Sequence, residues 1–98
     1  MDIRVGTIIA SEKVKKTKKL LKLSVDTGID IRTVVSGIGE YHKPEDVLGR
    51  QVSVLVNLAP RNIKGIESQG MVLMAEDKDG TLQFICPPEG ISNGSIIA

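Results

Sequence analysis

Lysine is concentrated in one short stretch near the start of this 98-residue chain. Between residues 13 and 22 there are six lysines and no acidic residue. Lysines that neutralise phosphate groups release condensed counterions, so the stretch predicts a surface that binds nucleic-acid phosphates. Taken alone, the charge is equally typical of a solvated loop. The candidate phosphate ligands are Lys13, Lys15, Lys16, Lys18, Lys19 and Lys22.

A second polar stretch runs from Asn57 to Met71 and reads NLAPRNIKGIESQGM. Such a long connection in a small domain is more often functional than idle. Pro60, Gly65 and Gly70 fix its path, and its polar side chains could face a partner. A long hairpin connection with hydrated side chains is the plain alternative. The candidate RNA contacts here are Asn57, Arg61, Lys64, Ser68, Gln69 and Met71.

Composition narrows the kind of RNA that these residues would bind. The formal net charge is only +1, but residues 1–26 hold seven basic and three acidic residues, against six and nine in the remainder. Proteins that bind single strands stack bases on aromatic rings, worth about 1–3 kcal/mol per base. The only tyrosine and phenylalanine in this chain are Tyr41 and Phe84, and it has no tryptophan. We therefore expect recognition of a folded RNA through its backbone and 2′-hydroxyls.

Short aliphatic strands surround the two polar stretches. The alternation at the start predicts that Ile3, Val5, Thr7 and Ile9 face the core, and the same period recurs in residues 21–25. Pro44 opens a short helix between the third and fourth strands. The pattern predicts an all-β, five-stranded Greek-key barrel of the OB type, with extra C-terminal strands. Further strands are predicted at residues 31–36, 51–56, 71–76 and 81–85.

Several classes of chemistry find no support in the sequence. Cys86 is the single cysteine, which excludes an internal disulfide and a cysteine-based zinc site within one chain. His42, the single histidine, lacks a second histidine or a nearby cysteine and reads as a surface residue. No basic leader precedes an apolar stretch. We predict a non-catalytic domain without cofactor or metal, in the cytoplasm.

Three separated motifs carry a family resemblance. They are RVGTI at residues 4–8, VSGI at residues 35–38 and the segment from Asn57 to Met71. Together they closely resemble the tRNA-binding domain at the carboxy terminus of many methionyl-tRNA synthetases, over about residues 2–97. The resemblance implies one OB-fold domain over residues 1–98 that binds tRNA, forms a homodimer and assists aminoacylation. The abrupt end of the last strand leaves open whether the chain is complete or a piece of a synthetase.

The resemblance is uneven at the level of single residues. Relatives commonly place a His-Pro pair and an aspartate in the first loop, where this chain has Val14, Lys15 and Lys18. They often carry basic groups at the positions of Ala59 and Asn62. Within the matching positions, the resemblance favours phosphate contacts from Arg61 and Lys64, hydrogen bonds to the RNA from Ser68 and Gln69, and an apolar contact from Met71.

The end of the chain is the candidate dimer surface, although closure of the barrel explains its apolar residues nearly as well. A free-standing tRNA-binding or chaperone-like relative that acts through protein–protein contacts is the alternative function. The secretion-chaperone relatives differ around residues 68–70, which favours the synthetase domain. The candidate interface residues are Phe84, Ile85, Ile91, Ile96 and Ile97.

Overall fold

Antiparallel strands make up most of the molecule, in a computed structural model that describes residues 2–88 and 90–97. The elements are β1 (Ile3–Lys13), β2 (Leu21–Asp26), β3 (Ile31–Ser36), α1 (Pro44–Val47), β4 (Gln51–Leu55), β5 (Arg61–Ile63), β6 (Ile66–Ser68), β7 (Met71–Val72), β8 (Met74–Glu76) and β9 (Leu82–Phe84). The main sheet has five strands in the order β3-β2-β1-β4-β7 and curls into a nearly closed barrel, as predicted. Two further hairpins pair β5 with β6 and β8 with β9.

The first strand is shared between two neighbours. Its first half pairs with β4, from Ile3 opposite Leu55 onwards, and its second half pairs with β2. A β-bulge interrupts the second ladder between Ile8 and Ala10. Bulges bend a strand and increase its twist, which helps a five-stranded sheet to close on itself.

The inward face of β1 differs from the prediction in the part of the strand before the bulge. Ile8 is fully buried in the core, whereas Ile9 is 45% exposed. Gly6 is the core-facing position before it, since a Cβ there would lie 2.6 Å from Cγ1 of Val25. Val5 is buried on the opposite face and is not part of the main core cluster. The predicted face was therefore wrong as far as Ile8, because a two-residue period does not show which of two covered faces is the core.

The core is aliphatic, as the composition predicts, and it forms between the curled strands and the short helix. Pro44 occupies the first turn of α1, and Val47 from this helix is fully buried. In the described part of the chain, no helix is long and apolar enough to cross a bilayer. The fully buried members of the main cluster are Ile8, Leu21, Leu23, Val25, Val34, Ile38, Val47, Val52 and Val54.

The long polar stretch, predicted as a loop, contains a hairpin of its own. Strands β5 and β6 pair from Arg61 opposite Ser68 to Ile63 opposite Ile66. The two turn residues both have positive φ, 53° at Lys64 and 81° at Gly65. Positive φ at both positions is the mark of a type I′ turn, whose twist suits a two-residue hairpin.

The C-terminal residues lie against the outer face of β1 and β4. The amide of Val5 donates to the carbonyl of Ser95 at 2.9 Å. Gln51 and Ser53 of β4 donate side-chain hydrogen bonds to the carbonyls of Ile91 and Ile85, at 2.6 and 2.9 Å. The amides of Gly94 and Ile97 donate back to carbonyls of β1 at 2.7 and 2.8 Å. After β9 the described residues form one isolated bridge, to Arg4, so this region is a covering segment with little strand structure.

Candidate nucleic-acid interface

The two basic stretches meet at one side of the barrel. The loop from Lys13 to Lys22 joins β1 to β2, and the β5–β6 hairpin packs beside β3. One open groove is lined by Lys13, Lys15 and Lys22 from the loop together with Lys64 from the hairpin turn. We use the name lysine groove for this groove together with the adjoining depression that Lys22, Thr33, Gly65, Glu67 and Gln69 line. The arrangement brings four of the predicted phosphate ligands into one concave surface.

The groove continues along the outer face of β2 and β3. Lys22 also lines an adjoining depression with Thr33, Gly65, Glu67 and Gln69. Lys22 therefore stands between the loop and the hairpin. The remaining lysines of the loop are all exposed; they are Lys16, Lys18 and Lys19.

Two carboxylates compensate part of the positive charge of the lysine groove, which Glu12 and Glu67 line together with four lysines. The Nζ of Lys22 lies 3.4 Å from the carboxylate of Glu12, and both side chains are exposed. Exposed ion pairs of this kind contribute about 0–1 kcal/mol because water screens them. A phosphate can thus displace Glu12 at little cost.

Two lysines of this region adopt left-handed backbone conformations. Lys16 has φ of 66° and Lys64 has φ of 53°. Residues other than Gly, Asn and Asp are uncommon there, because the Cβ comes too close to the backbone. Each basic segment thus has lysine where backbone preference alone would select glycine or asparagine, which fits a need for charge.

Hydrogen bonds to β3 fix the hairpin in place. The Oγ of Ser68 accepts from the amide of Val35 at 3.0 Å and donates to the carbonyl of Gly70 at 3.3 Å. The Oε1 of Gln69 accepts from the amide of Thr33 at 3.0 Å, and the amide of Gln69 donates back to Thr33 at 2.8 Å. Ser68 is only 5% exposed. This geometry gives Ser68 a structural role and leaves it little surface for the predicted RNA contact.

Arg32 adds further hydrogen bonds between β3 and the hairpin segment, and the sequence did not predict this role. Its Nη1 donates to the carbonyls of Val56 and Gln69, and its Nε donates to the carboxylate of Asp30 at 3.2 Å. One signal was available in the sequence. Asp30 and Arg32 stand two positions apart, so a strand places both side chains on one face, where they can pair.

Asn57 lies apart from the lysine groove. Its Oδ1 accepts from the amide of Asp2 at 2.9 Å, beside the first residues of β1. The loop lysines begin at Lys13, the last residue of the 11-residue strand β1. Asn57 is therefore anchored beside the start of β1 and is not among the residues that line the lysine groove.

Arg61 and Met71 lie on the other side of the hairpin from Lys64. Both are exposed and line a small cavity with Leu58, Ile63 and other residues. Of the two predicted phosphate ligands in this segment, Lys64 lines the lysine groove and Arg61 does not. The cavity therefore places one cation, the guanidinium of Arg61, beside an apolar surface.

Comparison with known proteins identifies the family. Residues 3–96 match the family model described as "Putative tRNA binding domain". The chain belongs to this tRNA-binding domain family. A methionine–tRNA ligase from Cytophaga hutchinsonii is 67% identical over 97 residues, which are 99% of this chain and 14% of the ligase. The chain thus spans about one seventh of the curated relatives it matches.

Solved structures agree on the fold. The MetRS related protein from Pyrococcus horikoshii superimposes with a TM-score of 0.94 and 41% identity, covering 99% of this chain and 89% of that one. The chaperone CsaA from Bacillus anthracis gives a TM-score of 0.89 and 26% identity, with coverage of 99% and 90%. The family resemblance and the predicted fold class are both confirmed.

The predicted dimer residues of the tRNA-binding domain divide into anchored and exposed ones. Phe84 packs against the core, with its ring centroid 4.9 Å from that of His42 and 5.3 Å from the guanidinium carbon of Arg50. Ile91 and Ile97 are half-buried. Ile85 and Ile96 are 47% and 67% exposed, so they are the members able to face a partner.

His42 has a packing role in the tRNA-binding domain. Its Nε2 lies 2.9 Å from the carbonyl of Leu82, and its ring contacts Phe84. Among residues 2–88 and 90–97, no cluster of histidine, cysteine, aspartate and glutamate has the geometry to hold a metal ion.

Proposed function

We propose that this domain binds the folded body of tRNA through phosphate contacts in the lysine groove. The observation that carries the proposal is that Lys13, Lys15 and Lys22 line one groove with Lys64, although the loop and the hairpin are far apart in the chain. A concave surface with lysines from both sides suits the curved backbone of a folded RNA. Each neutralised phosphate adds a counterion-release contribution to the affinity.

Recognition by shape follows from what the groove lacks. Neither Tyr41 nor Phe84 is among the residues that line the lysine groove. Without an aromatic platform, stacking on single-stranded bases would contribute little. Contacts to phosphates and 2′-hydroxyls are the remaining mode, and they are shared by all tRNAs. The domain is therefore expected to bind different tRNAs with similar affinity.

The high identity to methionine–tRNA ligases supports a role inside such an enzyme. We propose that residues 1–98 form one non-catalytic unit of a cytoplasmic ligase and add tRNA affinity to a catalytic body elsewhere in that protein. A second site on the same polypeptide raises the effective concentration of the bound tRNA near the catalytic body.

Homodimer formation is part of the proposal, with Ile85 and Ile96 as the apolar contacts. Both side chains are exposed on the covering segment of β1 and β4. A small domain gains buried apolar area by pairing, and a two-fold pair would present two lysine grooves. Sedimentation of the chain at low micromolar concentration tests this directly. A dimer is expected, and a monomer at that concentration would contradict it.

A free-standing, chaperone-like protein is the second candidate. The similarity to the chaperone CsaA and the exposed side chains of Ile29 and Ile31 favour it. The identity of 26% to that chaperone is much lower than the 67% to the ligase, so we rank tRNA binding first. Protection of an unfolding test protein, without any tRNA affinity, would reverse this order.

The decisive experiment is a titration with unfractionated tRNA over a range of salt concentrations. With three or four phosphates neutralised, log affinity should fall against log salt with a slope of about −2 to −4. A matched control replaces Lys78, which is exposed on the β8–β9 turn and outside the lysine groove, by alanine. The control should leave the slope unchanged. Salt-independent affinity of the native chain would overturn the proposal.

A further inference from the structure

Arg32 donates hydrogen bonds to both ends of the segment that contains the β5–β6 hairpin. This segment, residues 57–70, leaves the sheet after Val56 and returns to it at β7. The Nη1 of Arg32 donates to the carbonyl of Val56 on one side and to that of Gln69, at 3.0 Å, on the other. A single side chain therefore fixes both ends of the segment on β3.

Asp30 and Thr27 hold Arg32 in this orientation. The Nε of Arg32 donates to Asp30 at 3.2 Å, and the hydroxyl of Thr27 donates to the same carboxylate. The hydrogens on Nε and Nη1 account for three of the five donors of a guanidinium. The Arg32 side chain is 24% exposed. Its charge and most of its donors are thus committed to the protein.

We propose that Arg32 is a positioning residue for tRNA binding, which sets the hairpin so that Lys64 shares the lysine groove with Lys22. This inference rests on the proposed function. It assigns Arg32 no phosphate contact of its own. Its effect on RNA affinity arises through the placement of Lys64, because the hairpin has no other charged anchor among its recorded contacts to β3.

The first test compares Arg32→Gln with Arg4→Gln in the tRNA titration. Arg4 is a close match, since its Nε donates to Asp2 at 2.8 Å and its Nη1 donates to the carbonyl of Gly94 at 3.0 Å. Both changes remove one positive charge from an arginine–aspartate pair, but only Arg32 holds the hairpin. We expect Arg32→Gln to weaken binding about tenfold, or ~1.4 kcal/mol. Arg4→Gln should change it less than about twofold.

A double variant separates positioning from direct contact. If Arg32 acts through Lys64, adding Arg32→Gln to Lys64→Asn should change neither the affinity nor the salt slope much further. If Arg32 touched a phosphate itself, the slope would become shallower by a further amount of about 0.7–0.9, the value for one lost contact. Such a further loss of slope in the double variant, or an unchanged affinity in Arg32→Gln alone, would overturn the inference.

Asp30→Asn gives the sharpest discrimination, because the two roles predict opposite signs. Removing this carboxylate makes the domain more positive and releases Arg32 from its partner. A direct phosphate contact would then strengthen, and tRNA would bind more tightly. A positioning role predicts weaker binding, by several-fold. This variant also keeps the inference testable if Arg32→Gln does not fold.

Hydrogen exchange tests the placement of the hairpin without any RNA. The amides of Val35 and Gln69 donate across the junction between β3 and the hairpin. In Arg32→Gln they should exchange at least about tenfold faster, while Arg4→Gln leaves them unchanged. Equal exchange in all variants would refute the positioning role even if tRNA binds. If the native chain does not bind tRNA, the proposed function fails while this measurement still decides whether Arg32 fixes the hairpin.

Discussion

The Lys13–Lys22 loop and the β5–β6 hairpin both supply the lysine groove, but they are built in contrasting ways. The loop carries six lysines and is fastened by few contacts, such as the 2.8 Å hydrogen bond from the amide of Gly39 to Lys19. The hairpin brings one lysine to the groove and is held by hydrogen bonds from Arg32, Thr33 and Val35. The loop supplies charge, and the hairpin supplies a fixed location for it.

The largest expected effect tests the loop as the main source of charge. Replacing Lys15, Lys16, Lys18 and Lys19 together by alanine should lower tRNA affinity about 100-fold, taking ~0.7 kcal/mol for each exposed contact. Filter-binding titrations with several purified tRNAs would measure it. All tRNAs should lose affinity alike, because phosphates carry no sequence information. A loss confined to one tRNA would show base readout in the loop.

A smaller effect is expected from loosening the base of the loop. A Cβ at Gly39 would lie 2.8 Å from the carbonyl oxygen of Lys18 and 2.9 Å from the carbonyl carbon of Lys19. Gly39→Ala should therefore cost ~1–3 kcal/mol of unfolding free energy, because backbone must move to make room. Urea denaturation would measure this cost. Gly37→Ala is the matched control, since nothing lies within 4 Å of its Cβ. Equal stability of the two variants would contradict the close packing of the loop base.

The hairpin turn offers a change with opposite effects on stability and affinity. Lys64→Asn places a favoured residue at a left-handed position and should raise stability by about 0.5 kcal/mol. The same change removes one groove lysine, so the salt slope should become shallower by about 0.8. Urea denaturation and tRNA titration would measure the two effects. Lys64→Arg keeps the charge and should preserve the slope. A stabilised Lys64→Asn variant with unchanged tRNA binding would remove the hairpin from the interface.

The smallest expected effect belongs to the β8–β9 turn, which serves as a reference outside both regions. The backbone hydrogen bond from Thr81 lowers the pKa of Asp79 below that of a free aspartate. A carboxylate with a lowered pKa stabilises the fold above its unfolded pKa, and this contribution is lost as pH falls through the folded pKa. Asp79→Asn should be slightly less stable than the native chain at pH 7.

Urea denaturation at neutral and acidic pH would check this dependence. The difference in unfolding free energy between the native chain and Asp79→Asn should shrink as the pH falls below about 4. Affinity for tRNA should be unchanged. A difference that grows in acid would contradict the assignment of the Asp79–Thr81 hydrogen bond.

The sequence predicted the barrel well because its strands are regular and aliphatic. Period-two patterns located β2, β3 and β4, and Pro44 located the helix. The inward face of β1 was predicted wrongly as far as Ile8, because Val5 on the opposite face is buried as well, and the bulge that follows depends on strand pairing, which local composition does not record. The hairpin inside residues 57–71 was missed for a related reason, since its strands have only three residues each.

The candidate site was predicted in part. The loop and Lys64 meet because the fold places the loop after β1 close to the β5–β6 hairpin, which packs beside β3. The charge of these lysines and their position on two connections of the barrel predicted this proximity, and their contact with RNA stays a prediction. Ser68, Asn57 and Arg32 show the limit of residue type as a guide. A polar side chain in a loop can face a ligand or hold the backbone, and only its surroundings distinguish the two.

The extra residue at Ile9 also determines which side chains meet across the top of the barrel. With the bulge in place, Glu12 stands opposite Lys22 and Lys13 opposite Leu21. In an unbroken register, Ser11 would oppose Lys22 and Glu12 would oppose Leu21, so the carboxylate of Glu12 would no longer face Lys22 across the two strands. One inserted residue thus decides which side chain stands beside Lys22 at the groove.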